Sequence, residues 1–300
     1  MTVLSGPPAE GGPAPEPSEQ PAGRPGAQPV ATPSGRSRRR ARALRSLRTL
    51  LLGLWLPVLV LALWWVLSAD STSTFFPPLQ DILTRLRELW LFEHVRTDLL
   101  PSLKNLALGY LLAAVVGVVG GALLWRLPRV AEATHPVVYF LYVLPTPALL
   151  PAVILVFGIG SAMKVWIIFF TALWPVLLNT MDGMRGTDTV KLDLCRALRL
   201  GTWQTLRRVV LPAASPQIFA GLRTALQFGI ILMVVSEFAA ATTGIGYFIL
   251  YAQQTFAVTD MWTGILVLGV VGSCLNFLFL RLERRILRWH YRSRRALDLL

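Results

Sequence analysis

Acidic side chains are scarce in this chain, with 16 Asp and Glu against 29 Lys and Arg in 300 residues, and charged residues make up only 15% of it. Cysteine and histidine are scarcer, at two and three. Cys195 and Cys274 form no CxxC or other metal spacing, so they read as small apolar fillers and no structural disulfide is expected. His94, His135 and His290 are scattered and make no metal set. No GxxxxGK[ST] run is present, which excludes a nucleotide site of that kind. Nor is there a serine-nucleophile motif or a paired-carboxylate arrangement. These absences argue against an enzyme: no catalytic residue, no metal and no cofactor bound by this chain are expected.

What is abundant is apolar. Hydrophobic residues make up 54% and the mean hydropathy is +0.56, which places the chain in the membrane class. Six apolar runs approach the roughly 20 residues needed to cross a bilayer: Leu50–Ser68, Leu103–Trp125, Thr134–Phe157, Met163–Met181, Ile218–Ala240 and Trp262–Leu282. The fold class that follows is all-α and integral to the membrane, with six transmembrane helices.

The net charge of +13 invites a nucleic-acid reading, but its distribution argues otherwise. Arg36, Arg38, Arg39, Arg40, Arg42, Arg45 and Arg48 precede the first run, and Arg281, Arg284, Arg285, Arg288, Arg292, Arg294 and Arg295 follow the last. Basic clusters flanking apolar spans mark the cytoplasmic side and sit well against anionic lipid. Membrane lipid, not nucleic acid, is the expected partner. With the Arg126–Arg129 loop and the 182–216 segment also basic, both termini are expected in the cytoplasm. The cell membrane, crossed several times, is the expected location.

Residues 1–49 are Pro- and Gly-rich and then Arg-rich, too poor in large apolar side chains to offset ordering entropy, so a disordered tail is expected. The run at 51–67 has the outline of a signal peptide, but no small-residue cleavage site follows cleanly, and a retained helix is expected. The membrane domain spans 50–282, and 283–300 form a second basic tail. In the first external loop, Leu79, Ile82, Leu83, Leu86, Leu89 and Trp90 recur at helical spacing behind Pro77 and Pro78, which predicts an amphipathic helix in the interface. Pro145, Pro147 and Pro151 are expected to break the third span and Pro175 the fourth, lining a cavity. Gly117, Gly120 and Gly121 permit close helix contact.

One polar stretch interrupts the apolar pattern, LDLCRALRLGTWQTLRRVVLPAASP within 182–216. It predicts a short amphipathic helix from Leu192 to Leu198, a glycine turn at Gly201, a second helix from Trp203 to Val210, and a break at Leu211-Pro212. Leu194, Leu198 and Leu206 offer an apolar face and Trp203 a large anchor. Arg196, Arg199, Arg207 and Arg208 either pair with an acidic partner or merely fix topology.

The run from Asp193 to Pro212 resembles the cytoplasmic signature of binding-protein-dependent ABC importer permeases, a Glu-Ala-Ala triplet followed by Gly and then Ile-x-Leu-Pro. Asp193 stands at the Glu position, Leu194 and Cys195 at the alanines and Arg199 at the glycine. Val209, Leu211 and Pro212 complete the end. LYVLPTPALLPAVILVFGIGSAMKVWIIFFTALWPVLLNTMDGMR and SEFAAATTGIGYFI are similar to the subfamily importing nitrate, sulfonates, taurine and pyrimidine precursors. The resemblance covers about residues 50–285. It implies a type I importer-like permease subunit acting as a homodimer. Two separate ABC ATPase subunits would carry ATP, and an extracytoplasmic substrate-binding protein would deliver the solute. The implied ATPase-coupling residues are Asp193, Leu194, Arg196, Leu198, Gly201, Trp203, Arg207, Arg208, Leu211 and Pro212.

Candidates for the translocation path are Pro145, Thr146, Pro147, Trp174, Asn179 and Glu237. Glu237, the one clear acid inside a span, is expected to be structural or gating, with substrate contact or an interfacial position as alternatives. Asn179, Asn276, Gln227 and Ser236 are expected to bond between helices. A secondary transporter and a membrane scaffold or sensor with basic tails are the rival readings; the first would need coupling acids or broken helices at midplane in two repeated halves.

Overall fold

The computed structural model describes residues 55–288, apart from positions 57, 70, 72, 74, 92 and 93. The chain divides into two compact units, Met1–Val60 and Leu61–Leu300. The predicted tail 1–49, the start of the first span and the basic tail beyond 288 lie outside the described residues. The described part of the first span contains a short apolar helix, α1 (Val58–Ser68).

The described residues are all-helical, as the apolar pattern requires in lipid, where every backbone group must be paired internally. After α1 come α2 (Leu79–Trp90), a π-helical turn (Val95–Leu99) continuing into α3 (Leu100–Arg126), and α4 (Pro128–Val143). A 3-10 turn (Thr146–Leu149) leads to α5 (Leu150–Phe157), followed by α6 (Ser161–Arg185) and α7 (Thr189–Ala197). Then α8 (Thr202–Thr205) passes through a second π-helical turn (Leu206–Val210) into α9 (Leu211–Ala240), and α10 (Ile245–Gln254) and α11 (Val258–Ile286) close the bundle. Among the described residues, four helical stretches are long and apolar enough to cross a membrane: Val95–Arg126, Ser161–Arg185, Thr202–Ala240 and Val258–Ile286. A fifth is the pair Pro128–Val143 and Thr146–Phe157, if its 86° bend is counted within one span.

At the centre, α6 packs between α3 and α9. Gly109, Ala113, Gly117 and Gly121 recur every fourth residue and turn one bare stripe of α3 onto α6. A Cβ at Gly117 would stand 2.8 Å from that of Val176, and one at Gly121 would stand 2.7 Å from that of Thr180. The backbones approach because nothing larger is there. Gly120 lies off this seam, with Leu177 at an ordinary 3.4 Å. On the other side of α6, Gly221 leaves room for Asn179 and Gly183 for Gln217.

The predicted amphipathic helix is α2. It buries Leu79, Ile82 and Trp90, and its Trp90 indole donates to the Thr263 hydroxyl of α11 at 3.1 Å. Arg85 bridges to Asp260 at 2.7 Å and Glu88 at 3.0 Å, and these carboxylates hold its guanidinium above the ordinary value.

Three proline expectations meet different fates. The third span does break, between Val143 and Thr146. The fourth does not: Pro175 sits buried inside a continuous α6. Neighbouring helices enclose it, and the Asn179 amide donates to its carbonyl at 2.8 Å. The predicted break at Leu211-Pro212 is also absent, for α8, the π turn and α9 form one uninterrupted helix, Thr202–Ala240. The π turn closes with the Leu211 N–H donating to the Leu206 carbonyl. That wider ring moves the carbonyl that the proline ring would otherwise strike. Leu100-Pro101 repeats the device behind the first π turn, where the Leu100 N–H donates to the Val95 carbonyl.

Candidate functional site

A closed polar network occupies the end of the bundle that carries residues 241–244. Asp98 and Ser102 lie four apart on one face where the first π turn enters α3. Asp98 Oδ1 accepts from the Gly244 N–H at 2.9 Å, while Oδ2 accepts from the Thr97 hydroxyl at 2.8 Å and meets His94 Nδ1 at 2.7 Å. Ser102 donates to Glu237 Oε1 at 2.6 Å and accepts from the Ile245 N–H at 3.0 Å. Glu237 Oε2 accepts from the Gly246 N–H at 2.9 Å. Lys164 donates to the Thr243 carbonyl at 2.8 Å and stands 3.6 Å from Glu237 Oε1. Asp98, Ser102, Lys164 and Glu237 are all buried.

The Gly-Ile-Gly of this loop is required by the network. Gly244 has φ +127, and a side chain there would collide with the Glu237 carboxylate. Glu237 is therefore fully enclosed and bonded to protein, not solvated at an interface. The sequence pointed to Glu237 alone; Lys164 inside the fourth span was the available signal for its partner.

At the opposite end, α7 begins at Asp188, whose carboxylate caps the Val190 N–H at 2.9 Å. Cys195 is buried beneath it, and Leu192 and Leu206 pack against Met184, Val210, Ala214 and Ile218. Leu206 is half-buried against this cluster and lines an open cavity beside Trp203. Leu194, Leu198 and Trp203 stay exposed, at 59%, 64% and 69%, and so do Asp193, Arg196, Gly201, Arg207 and Arg208. Asp193 pairs with Arg196 at 2.7 Å on the same helix, an exposed contact of small energetic weight. Leu211 is exposed and Pro212 half-buried at the head of α9.

The reversal between α7 and α8 turns on Arg199, not on the predicted glycine. Arg199 adopts φ +52, and the Leu200 N–H donates to the Cys195 carbonyl at 3.0 Å, a helix-ending pattern that normally employs glycine at the left-handed position. Gly201 has φ −62 and starts α8.

Between these ends, the break after α4 opens onto a cavity of ≈ 270 Å³. Tyr142, Thr146, Pro147 and Trp174 line it together with Phe228 and Ile231 of α9. The Trp174 indole nitrogen is buried with no hydrogen-bond partner among the described residues. Trp174 ends a ring ladder on α6 that runs through Trp166 and Phe170. Of the path candidates, Thr146, Pro147 and Trp174 meet at this cavity. Pro145 is exposed at the break itself. Asn179 lies elsewhere, accepting from the Gln217 amide at 2.8 Å, and Glu237 belongs to the network.

Residues 109–288 match the sequence model of the family described as binding-protein-dependent transport system inner membrane component. Over 239 residues the chain is 32% identical to SsuC of Bacillus subtilis, a candidate aliphatic sulfonates transport permease protein, covering 79% of this chain and 87% of that one. It is 30% identical to the bicarbonate transport system permease protein CmpB of Synechococcus elongatus, covering 83% and 95%. It is 28% identical to the taurine transport system permease protein TauC of Escherichia coli, covering 77% and 86%. In fold it is similar to a chain of the MetNI methionine ABC transporter in an inward-facing conformation, with TM-score 0.55, 22% identity, and coverage of 66% and 97%.

Proposed function

Because the chain belongs to the binding-protein-dependent transport system inner membrane components, as the multi-pass permease subunit of an ABC importer, we propose that it carries a small oxyanion-bearing solute inward. Sulfonates, taurine, nitrate and bicarbonate share that group, and they are the solutes in the names of the relatives it matches. Members of this family work with ATPase and binding-protein subunits. Here two copies of the chain enclose the path, the ATPase subunits hold the ATP, and each docks on a segment within 182–216. Six crossings put both termini in the cytoplasm, where the basic ends meet anionic lipid.

One observation carries the coupling role. The exposed Trp203, Arg207 and Arg208 sit on the same unbroken helix as the fifth span, Thr202–Ala240. A push on that exposed end is transmitted along the helix instead of being absorbed at a hinge. Leu194 and Leu198 on α7 complete the exposed surface, with Asp193 and Arg196 at its rim. ATP-driven closure of the ATPase pair then rocks the two bundles between inward and outward access.

The test is charge reversal at Arg207 and Arg208 in the reconstituted importer. The expected result is loss of ATP hydrolysis stimulated by the loaded binding protein, with the permease still inserted at normal level. Unchanged stimulation removes these side chains from the docking surface. If no ATPase co-purifies, and transport survives ATP depletion but not collapse of the ion gradient, a secondary transporter replaces this reading.

A further inference from the structure

Arg223 stands exposed on α9 inside the fifth span, and no carboxylate among the described residues lies within ion-pair distance of it. Gln217 and Gln227 are exposed on the same helix. Steps of three and four residues from 217 through 220, 223 and 227 to 231 place them on one stripe. The outward face of α3 is entirely different: Leu108, Leu111, Leu112, Val115, Val119 and Leu123 are exposed there and all apolar. That face suits lipid. A stripe that carries the Gln227 amide and the Arg223 guanidinium does not, since polar groups at membrane depth turn to water, to a partner or to the bundle interior, as Gln217 does toward Asn179. An arginine near a helix end can reach the head groups with its long stem. Gln227, a full turn deeper and with a short side chain, has no such escape, which leaves the second copy of the chain, or the water between the two copies, as what the stripe meets.

The stripe also leads somewhere. Its upper residue, Ile231, and the adjacent Phe228 line the cavity that holds Thr146 and Trp174. Among the described residues no acidic side chain lines that cavity, and none accepts from the buried Trp174 N–H. We propose that the α9 stripe continues this cavity as an anion pathway, in which Arg223 is the fixed positive charge that receives the oxyanion from the neutral Trp174 and Thr146 donors. Neutral donors bind an anion without trapping it, and a single charge below them sets both the direction of attraction and the sign of solute admitted. Gln227 supplies a further amide donor one turn along the stripe, while the Gln217 amide is held by Asn179.

This inference rests on the oxyanion reading, and one experiment separates the two. The complete importer, with its own ATPase and binding protein, is reconstituted in liposomes, and uptake of ethanesulfonate, taurine, nitrate and bicarbonate is measured alongside ATP hydrolysis. Arg223→Gln is expected to lower the uptake of the transported anion about tenfold, the weight of a charged hydrogen bond, while hydrolysis stimulated by the loaded binding protein persists. Solute moved per ATP therefore falls. Arg223→Lys restores most of it, and Trp174→Phe lowers the same ratio with the ring retained. If Arg223→Gln keeps the wild-type ratio, or loses hydrolysis and uptake together at equal membrane abundance, the pathway assignment is overturned and the oxyanion reading stands. If the wild-type importer moves none of the four solutes, the oxyanion reading fails and the pathway assignment with it.

Discussion

The two ends of this bundle treat charge in opposite ways. At the network end, Lys164, Glu237 and Asp98 are withdrawn from solvent, and each meets named partners on α3, α6, α9 or the 241–244 loop. At the coupling end, Asp193, Arg196, Arg199, Arg207 and Arg208 are all exposed. Among the described residues, Asp193 and Arg196 pair only with each other within one helix, and Arg199, Arg207 and Arg208 face outward. A buried network specifies one arrangement and resists change, because any lost partner leaves a charge stranded. An exposed cluster contributes little to its own stability and stays available to a second protein. The contrast assigns rigidity to one end and contact to the other.

The contrast breaks most decisively at Lys164. Lys164→Met strands the Glu237 carboxylate, and a loss of about 3–5 kcal/mol is expected in the unfolding of the detergent-solubilised permease. Adding Glu237→Gln should recover more than half of that loss; a double variant as unstable as the sum of the two singles would mean the pair is not coupled. Next in size is Gly121→Ala, between the two ends, where the new methyl meets Thr180 and the Leu177 carbonyl at under 3 Å. About 1–3 kcal/mol of overpacking is expected, read as a lower melting temperature, and no change would show that α3 can slide on α6.

Smaller and opposite in sign is Arg199→Gly at the coupling end. A non-glycine residue at φ +52 carries roughly 1 kcal/mol of strain, so the glycine variant should melt slightly higher. The smallest stability effect belongs to Trp203→Ala, within about 0.5 kcal/mol for a side chain that is 69% exposed. The same substitution should nonetheless abolish stimulated ATP hydrolysis, and a stable variant that still couples would remove Trp203 from the docking surface.

The membrane helices were legible because lipid demands long apolar runs: α3, α6, α9 and α11 extend the predicted spans by a few residues at most ends. α2 was legible from its period and its prolines. Leu211-Pro212 was not, since a proline reads as a stop unless a π turn has already moved the opposing carbonyl, and that turn leaves no composition of its own. Arg199 was seen as a departure from a family glycine, but its left-handed backbone explains why glycine is the usual residue there. The network was half legible. Glu237 announces itself as an acid among apolar residues, while Ser102 and Asp98 are ordinary until a chain separation of 135 and more residues is closed. Arg223 carries no signal in the sequence, since in a chain with 29 basic residues one more arginine has no weight until its depth and face are known.

The second π turn, Leu206–Val210, has a consequence for how this segment can vary. A π turn closes over one more residue than an α turn, so it absorbs an extra residue while the helix on either side keeps its direction. Removing a single residue from Leu206–Val210 would restore α-helical winding with Trp203 and α7 near their present side of the bundle, but it would bring the Pro212 ring back against the carbonyl one turn before it. The length of this stretch, more than its composition, is what lets a proline sit inside a straight coupling helix.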